Sequence, residues 1–433
     1  MPAPRPWARR GYAAALYLLA PLIWRRVWRE QLPGRARRER LGLIPPAGEG
    51  ERTLWLHCAS VGEVQAARPL IEVLLERWPG HRLVVTTMTA TGAERVLALA
   101  GNRSGSGSGG EVSHHFVPLD FPGAARRFVA RLRPELAIFF ETELWPNLLA
   151  ACDRAGVPVA VVNGRLSPRG FRGYRRLRPL MAEALSHVAW LAAKSEADAR
   201  RFIELGMAPP RTTVVGSLKF DITVGGKARE VSERLRTRLG ERPVWVAGST
   251  HPGEDEQLLA AHARLRERLP DALLVLVPRH PRRFDAVAAL CRQADLTLAR
   301  RSRDEWPRDD TAVYLGDTMG ELLALYGVAD LAFVGGSLVP IGGHNLLEPA
   351  ALGTPVLTGP ALANFSDVAE VMREAGALVE VEDAETLATE LRRLFGDREE
   401  RRRLAEAGRG VVAANRGALA RTLAGLEGLM PTE

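Results

Sequence analysis

The first chemistry in this sequence is a set of carboxylates placed just beyond apolar runs. Residues 53–58 are apolar, and Ala59-Ser60-Val61-Gly62-Glu63 follows, opening a helical stretch. Small residues at such a turn let a substrate approach the backbone, and Glu63 would project from the helix start. A second run, 136–140, ends in Glu141-Thr142-Glu143-Leu144-Trp145-Pro146-Asn147. Carboxylates directly after a buried strand are costly unless bonded or functional. Alone, Glu63 would read as a charge complementing a helix dipole. With Glu141 and Glu143 on the same strand-end surface, acid–base catalysis is the better expectation. Lys219, in Gly216-Ser217-Leu218-Lys219-Phe220-Asp221, is one of only three lysines, and it sits where the first half of the chain ends.

The second half carries a different set. Pro278 and Arg279 follow an apolar run, a good place for a guanidinium to grip a phosphate. Asp317-Thr318-Met319-Gly320-Glu321 precedes a helical stretch whose first amides could bind an anion. Gly335-Gly336-Ser337 and Ile341-Gly342-Gly343-His344-Asn345-Leu346-Leu347-Glu348 follow the run 331–334. The glycines allow close backbone approach, and Glu348 could accept bonds from two ribose hydroxyls. Arg279, Gly320 and Glu348 on one rim point to a nucleotide.

Two series of elements must position these residues. From residue 50 onward, apolar runs at 53–58, 82–87, 115–118, 136–140, 157–162, 187–192 and 213–216 alternate with helical patterns. A second series starts at 244–247 and continues at 273–277, 297–299, 312–315, 331–334 and 355–357. Near-continuous apolar strands alternating with helices imply parallel sheets covered on both faces. The expectation is an α/β chain of two Rossmann-like, doubly wound domains facing a cleft. Its divisions would be a membrane anchor with a basic flank over 1–45, one domain over 46–225, a linker over 226–242 and a second domain over 243–433 ending in helices.

Composition narrows the function. The chain has 433 residues, 46% hydrophobic and 25% charged, which excludes a disordered, fibrous or polytopic membrane protein. Cys58, Cys152 and Cys291 are widely spaced, which excludes a disulfide scaffold and suits a reducing compartment. The net charge of +8 equals the ten arginines less two glutamates of residues 1–40, so the rest of the chain sums to zero. That weakens a nucleic-acid reading. Residues 11–24 form an uncharged run of 14 flanked by arginines, with Tyr12, Tyr17, Trp24 and Trp28 as interfacial aromatics. An anchor on or barely through a membrane is expected, with arginines on anionic headgroups. A literal GxGxxG at Gly105, Gly107 and Gly110 lies in a Gly/Ser loop with no strand before it, and reads as coincidence. No pair of aspartates has metal-binding DxD spacing, so no metal or cofactor is expected.

Taken together, the motifs resemble those of 3-deoxy-D-manno-octulosonic acid (Kdo) transferases of lipopolysaccharide assembly. The residues that carry the resemblance are SVGE (60–63), TTMTATG (86–92), FFETELWPN (139–147), NGRLS (163–167), GSLKFD (216–221), PRHP (278–281), GDTMGEL (316–322) and 333–357. The resemblance implies a GT-B fold on the cytoplasmic side of the bacterial inner membrane, a CMP-Kdo donor and a lipid IV(A) acceptor, with inverting, metal-independent transfer. It implies Glu63 as catalytic base and Glu141 and Lys219 as transition-state stabilisers. It places Pro278, Arg279, Met319, Gly320, Glu321, Asn345, Leu346, Leu347 and Glu348 at the CMP. Two alternatives stand beside it, a GT-B-like sugar-nucleotide 2-epimerase and a non-catalytic membrane adaptor. The anchor argues against the first and the clustered site residues against the second.

Overall fold

A computed structural model describes residues 6–29, 33–101, 111–222 and 225–431. The chain divides into two compact units, Met1–Asp221 with Arg416–Glu433, and Ile222–Asn415.

The first unit is built on β1 (Thr53–His57), β2 (Arg82–Thr87), β3 (Val112–Phe116), β4 (Leu136–Phe140), β5 (Val159–Gly164), β6 (Trp190–Ala193) and β7 (Thr212–Val214). They form one parallel sheet in the order β3-β2-β1-β4-β5-β6-β7. Period-two alternation divides the strands between two cores. Trp55, Phe139 and Val161 face Phe128, Leu148 and Phe202 on one side. Leu54, Leu56, Ile138 and Phe140 face Val64, Leu70 and Leu74 on the other. Covered on both faces, the strands must be apolar throughout.

The second unit repeats the plan with β8 (Val244–Thr250), β9 (Leu273–Pro278), β10 (Leu298–Arg300), β11 (Val313–Leu315), β12 (Leu331–Val334), β13 (Val356–Thr358) and β14 (Leu378–Glu380). The order is β10-β11-β9-β8-β12-β13-β14. Sequence reading misses β14, a half-exposed edge strand of three residues, too short to show a period.

Three boundaries differ from expectation. Residues 226–242 are not a bare linker, because they carry the helix Gly226–Leu239. Its Leu235 and Leu239 are buried, and Ser232 Oγ donates to Ala324 O at 2.7 Å, so it belongs to the second unit. The C-terminal helix Ala418–Glu427 returns to the first unit. Asp221 supplies its cap, accepting Gly417 N and Leu419 N, each at 2.6 Å, and Arg421 donates to Val215 O. Gly425 lets the helix lie against Trp190, since a Cβ there would come within 2.3 Å of the indole.

The basic flank is the third difference. Helix Gly34–Glu39 and Arg40 are built into the first unit rather than appended to it. Glu39 accepts Phe116 N at 2.7 Å, and Arg40 donates to Val117 O at 3.0 Å and Met88 O at 2.7 Å. Ahead of it, the apolar run breaks at Leu19 into helices Pro6–Leu18 and Ala20–Arg29. No helix among the described residues is long and apolar enough to cross a membrane. Ala8 and Tyr12 pack on the first core, and Arg9 pairs with Glu183 at 2.8 Å. Trp7, Tyr17, Leu18, Leu19, Leu22 and Trp28 stay exposed. The Gly/Ser loop with its GxGxxG, 102–110, lies outside the described residues.

Arg40→Ala leaves two buried carbonyls without their donor. Because each such loss costs about 1–3 kcal/mol, chemical denaturation should show a stability loss of about 2–4 kcal/mol. A change under about 0.5 kcal/mol would place residues 34–45 outside the cooperatively folded unit.

Candidate active site

In a doubly wound sheet, ligands bind beyond the carboxyl ends of strands, where the strand order reverses. In the first unit the chain leaves β1 towards β2 on one side, and β4 lies on the other. Glu63 and Glu141 follow β1 and β4, the neighbouring strands at that reversal.

Ser60 caps the helix Val61–Ala66, its Oγ accepting Glu63 N at 3.3 Å. The Glu63 carboxylate folds back in return, accepting Ala59 N at 2.8 Å and the Ser60 hydroxyl at 3.1 Å. This reciprocal cap fixes the carboxylate at the helix start. Burial pushes its carboxyl up to about 7; Glu143 and Glu141 push the same way, against the Ala59 amide and the Ser60 hydroxyl. The group is half-buried, so it can meet a substrate.

Glu141 sits at φ +61°, a left-handed conformation that costs a non-glycine residue on the order of 1–3 kcal/mol. Its amide still donates to Val162 O at 2.9 Å. Such strain at a strand end is a recurrent mark of functional sites. Glu143 turns inward instead. Trp145 Nε1 donates to it at 2.7 Å, and His57 Nε2 stands 3.6 Å away. Burial pushes the Glu143 carboxyl up, but the His57 ring and the Trp145 indole outweigh it and hold it below the ordinary range. Glu143 therefore remains a fixed negative charge that raises its neighbour Glu63.

The hydroxyls of the 86–92 loop are largely spent on structure. Thr87 Oγ1 pairs with His114 Nε2 at 2.9 Å, and Thr89 Oγ1 accepts Gly92 N at 3.1 Å. Lys219 lies half-buried in the 3-10 turn Leu218–Phe220, which Ser217 caps. Leu218 packs in the same core as Cys58 and Phe140, which carries the Lys219 turn back across the sheet from β7.

In the second unit, Arg279 follows β9 and its amide donates to Thr250 O at 3.0 Å. Asn345 spans two partners: its Nδ2 donates to Glu348 Oε1 at 3.2 Å and its Oδ1 accepts Leu347 N at 3.2 Å. Burial raises the Glu348 carboxyl, while Asn345 and the charge of Arg279 pull it down. Arg279 and Glu348 thus share one electrostatic neighbourhood. Leu346 and Leu347 are buried beneath Asn345 and Glu348 as apolar support.

Two expectations change here. The helix after Gly320 is a short turn, Leu322–Tyr326, and Glu321 sits at its cap, bonded twice to Arg301 at 3.0 and 2.9 Å. Asp317 is held by Arg300 and Ser302. Pro278 ends β9, whereas Met319 and Gly320 stand in the loop after β11, with Met319 63% exposed. Amides of a long helix are therefore not what this loop presents. The Gly335-Gly336-Ser337 loop is also occupied from within. Fully buried Glu254 accepts Gly336 N at 2.7 Å, Ser337 N and Leu338 N at 3.0 Å and His251 N at 2.9 Å.

Sequence reading passed over Glu254, and it also missed a charge cluster. Arg165, Arg169, Arg172, Arg175, Arg176 and Arg178 are all exposed on and around helix Pro168–Arg176, which has no buried residue. No acidic residue occurs between Arg165 and Glu183. The zero sum over residues 41–433 concealed this local excess. Phe171 and Tyr174 of the same segment pack on the first core alongside Ala8 and Tyr12 of the N-terminal helix.

The family model described as 3-deoxy-D-manno-octulosonic-acid transferase matches residues 35–222, and that of group 1 glycosyl transferases matches 255–411. The chain is 40% identical to a 3-deoxy-D-manno-octulosonic acid transferase of Haemophilus influenzae, over 88% of this chain and 86% of that one. It is also 40% identical to one of Bordetella pertussis, over 97% and 99%. Among solved structures, a glycosyltransferase from Rickettsia africae aligns with a TM-score of 0.54 at 14% identity, covering 88% of this chain and 100% of that one. The shared fold is GT-B.

Glu143→Gln removes one of the negative charges that raise Glu63. The Glu63 carboxyl, followed by carbon-13 NMR, should then titrate clearly below its value of about 7 while staying above the ordinary range through burial. An unchanged titration would show that Glu143 does not act on Glu63.

Proposed function

The chain belongs to the 3-deoxy-D-manno-octulosonic acid transferase family, and on that premise we propose that it moves Kdo from CMP-Kdo to lipid IV(A) with inversion. It is a glycosyltransferase whose transferred sugar is Kdo. The donor, the acceptor and the residue roles are our reading.

The observation that carries it is Glu63. A carboxyl raised to about 7, anchored by its own helix cap and half-open to solvent, suits a general base. Glu63 takes the proton of an acceptor sugar hydroxyl as that oxygen attacks the anomeric carbon of Kdo. The bond to the phosphate oxygen breaks, and CMP departs with the electron pair. Arg279 offsets the charge developing on the phosphate, and on our reading Glu141 and Lys219 stabilise the transition state. Asn345 and Glu348 hold the nucleoside, with Pro278, Met319, Gly320 and Glu321 on its rim. A monophosphate leaving group needs less charge neutralisation than a pyrophosphate, consistent with the absence of a DxD motif.

The acceptor is acidic and acylated. The exposed apolar residues of the N-terminal helices and the arginines of residues 165–178 are the features that suit such a ligand at an anionic membrane surface. We place the protein on the cytoplasmic face of the bacterial inner membrane, lying on it through residues 1–40.

Two experiments test this reading. Transfer of Kdo to lipid IV(A), read by mass spectrometry with CMP-Kdo generated in place, should fall roughly 10²–10⁴-fold in Glu63→Gln. The wild-type rate should climb as pH passes through about 7, where the base ionises. Full activity in the variant would remove Glu63 as the base, and no transfer by folded wild type would remove the donor–acceptor pair. Separately, the pair Leu18→Asp and Leu22→Asp should weaken flotation with anionic vesicles at least about tenfold, since each leucine contributes about 1.5–3 kcal/mol when buried. Undiminished flotation would remove the N-terminal helices as the contact.

A further inference from the structure

Three histidines meet in the second unit, and neither the base chemistry nor the nucleoside contacts use them. His251 follows β8, His280 follows β9 and His344 lies in the loop after β12. These are three adjacent strands, at the point where the strand order reverses. His251 Nε2 lies 2.8 Å from His344 Nε2, with the rings 12° from parallel. The His280 ring stands edge-on to His251, centroids 5.4 Å apart at 88°. Two imidazole nitrogens at that distance share one hydrogen, so one ring donates and the other accepts.

The charges facing this cluster are known from every side. Arg279, Arg282 and Arg283 approach from the β9 loop. Asp255 is consumed by Arg283 and by Thr250, whose Oγ1 donates at 2.6 Å. Glu254 is consumed by four backbone amides. Glu348 is bonded to Asn345. What remains is net positive and short of a counter-anion. Burial, followed by the neighbouring histidines and arginines, holds all three rings below the ordinary imidazole range, with His344 at about 4. The three rings are therefore neutral at pH 7.

We propose that His251, His280 and His344 form the seat of the donor's phosphate and take up one proton when the phosphate monoester dianion forms there. The inference rests on the donor reading above. The sugar–phosphate diester carries one negative charge, and the departing monoester carries a second, with a proton affinity near pH 6. As the bond from the anomeric carbon to oxygen breaks, its electron pair stays on the phosphate. The acceptor's proton goes to Glu63, and the histidine cluster draws its proton from solvent. That proton settles on the outer Nδ1 of the donating ring, whose lone pair is free, so the Nε2–H···Nε2 bridge survives. The leaving group then meets an imidazolium beside Arg279.

The test is calorimetric titration of CMP into the full chain between pH 6.5 and 8, in two buffers of different ionisation enthalpy. Uptake approaching one proton per CMP is expected, with affinity rising about tenfold for each unit that pH falls. Cytidine, which lacks the phosphate, should show neither effect. His344→Gln and His251→Gln should bind CMP with the proton uptake lost, and His280→Asn, at the open edge, should reduce it without loss of folding. Thermal melts confirm that each variant is native. CMP binding with no proton exchange in the wild type would overturn the seat and leave the donor reading standing. Uptake that persists in both His344→Gln and His251→Gln would also overturn it. No binding of CMP by the folded wild type would overturn the donor reading and the seat together.

Discussion

A parallel sheet covered on both faces gives its strands no polar side to face. Every residue from Leu54 to His57, and from Leu136 to Phe140, is enclosed. Polar chemistry can begin only where the strands stop, and in each unit it begins at their carboxyl ends. Glu63, Glu141 and Lys219 in the first unit, and Arg279, His344 and Glu348 in the second, obey this one constraint. It also explains why the site residues are so scattered in sequence, since each strand of the sheet contributes one loop to the same edge.

Placing charge at the rim of an apolar core has a second consequence. Each ionised group needs partners there, or it shifts its protonation. The molecule shows both outcomes side by side. Glu254 is held by four backbone amides. Glu143 remains charged against His57 and Trp145. Glu63 is bonded by the Ala59 amide and the Ser60 hydroxyl, but burial and two negative neighbours raise its carboxyl to about 7. Asp120 is similar: two amides hold it, yet burial raises it to about 7, with Tyr12 of the N-terminal helix beside it. The difference between a carboxylate held low and one pushed up here lies in the balance of burial and neighbouring charge against the donors it meets.

The charge of the surface follows a different logic. Ten arginines in residues 1–40 dominate the sum, yet several of them are structural. Arg40 is buried on backbone carbonyls and Arg9 is paired with Glu183. The arginines of 165–178 stand exposed on and around helix Pro168–Arg176, none of whose residues is fully buried. A net charge adds over the whole chain, whereas a binding surface depends on which charges are exposed together.

Much of this was legible in the sequence. Periodicity and apolar runs are local, so most strands and their order along the chain could be read directly; β3 was placed late because His114 and His115 interrupt its apolar pattern. The motif carboxylates could be read as strand-end residues for the same reason. Only the tertiary structure decided what holds each of them. It spent Glu143, Asp317 and Glu321 on internal partners, closed the glycine loop on Glu254, and returned residues 416–433 to the first unit through Asp221. It also brought His251, His280 and His344 together. Those meetings depend on the lateral order of strands, and residues 93 apart in the chain become neighbours only when β8 and β12 pair. No local pattern encodes that pairing, because it is selected by the burial of the whole sheet.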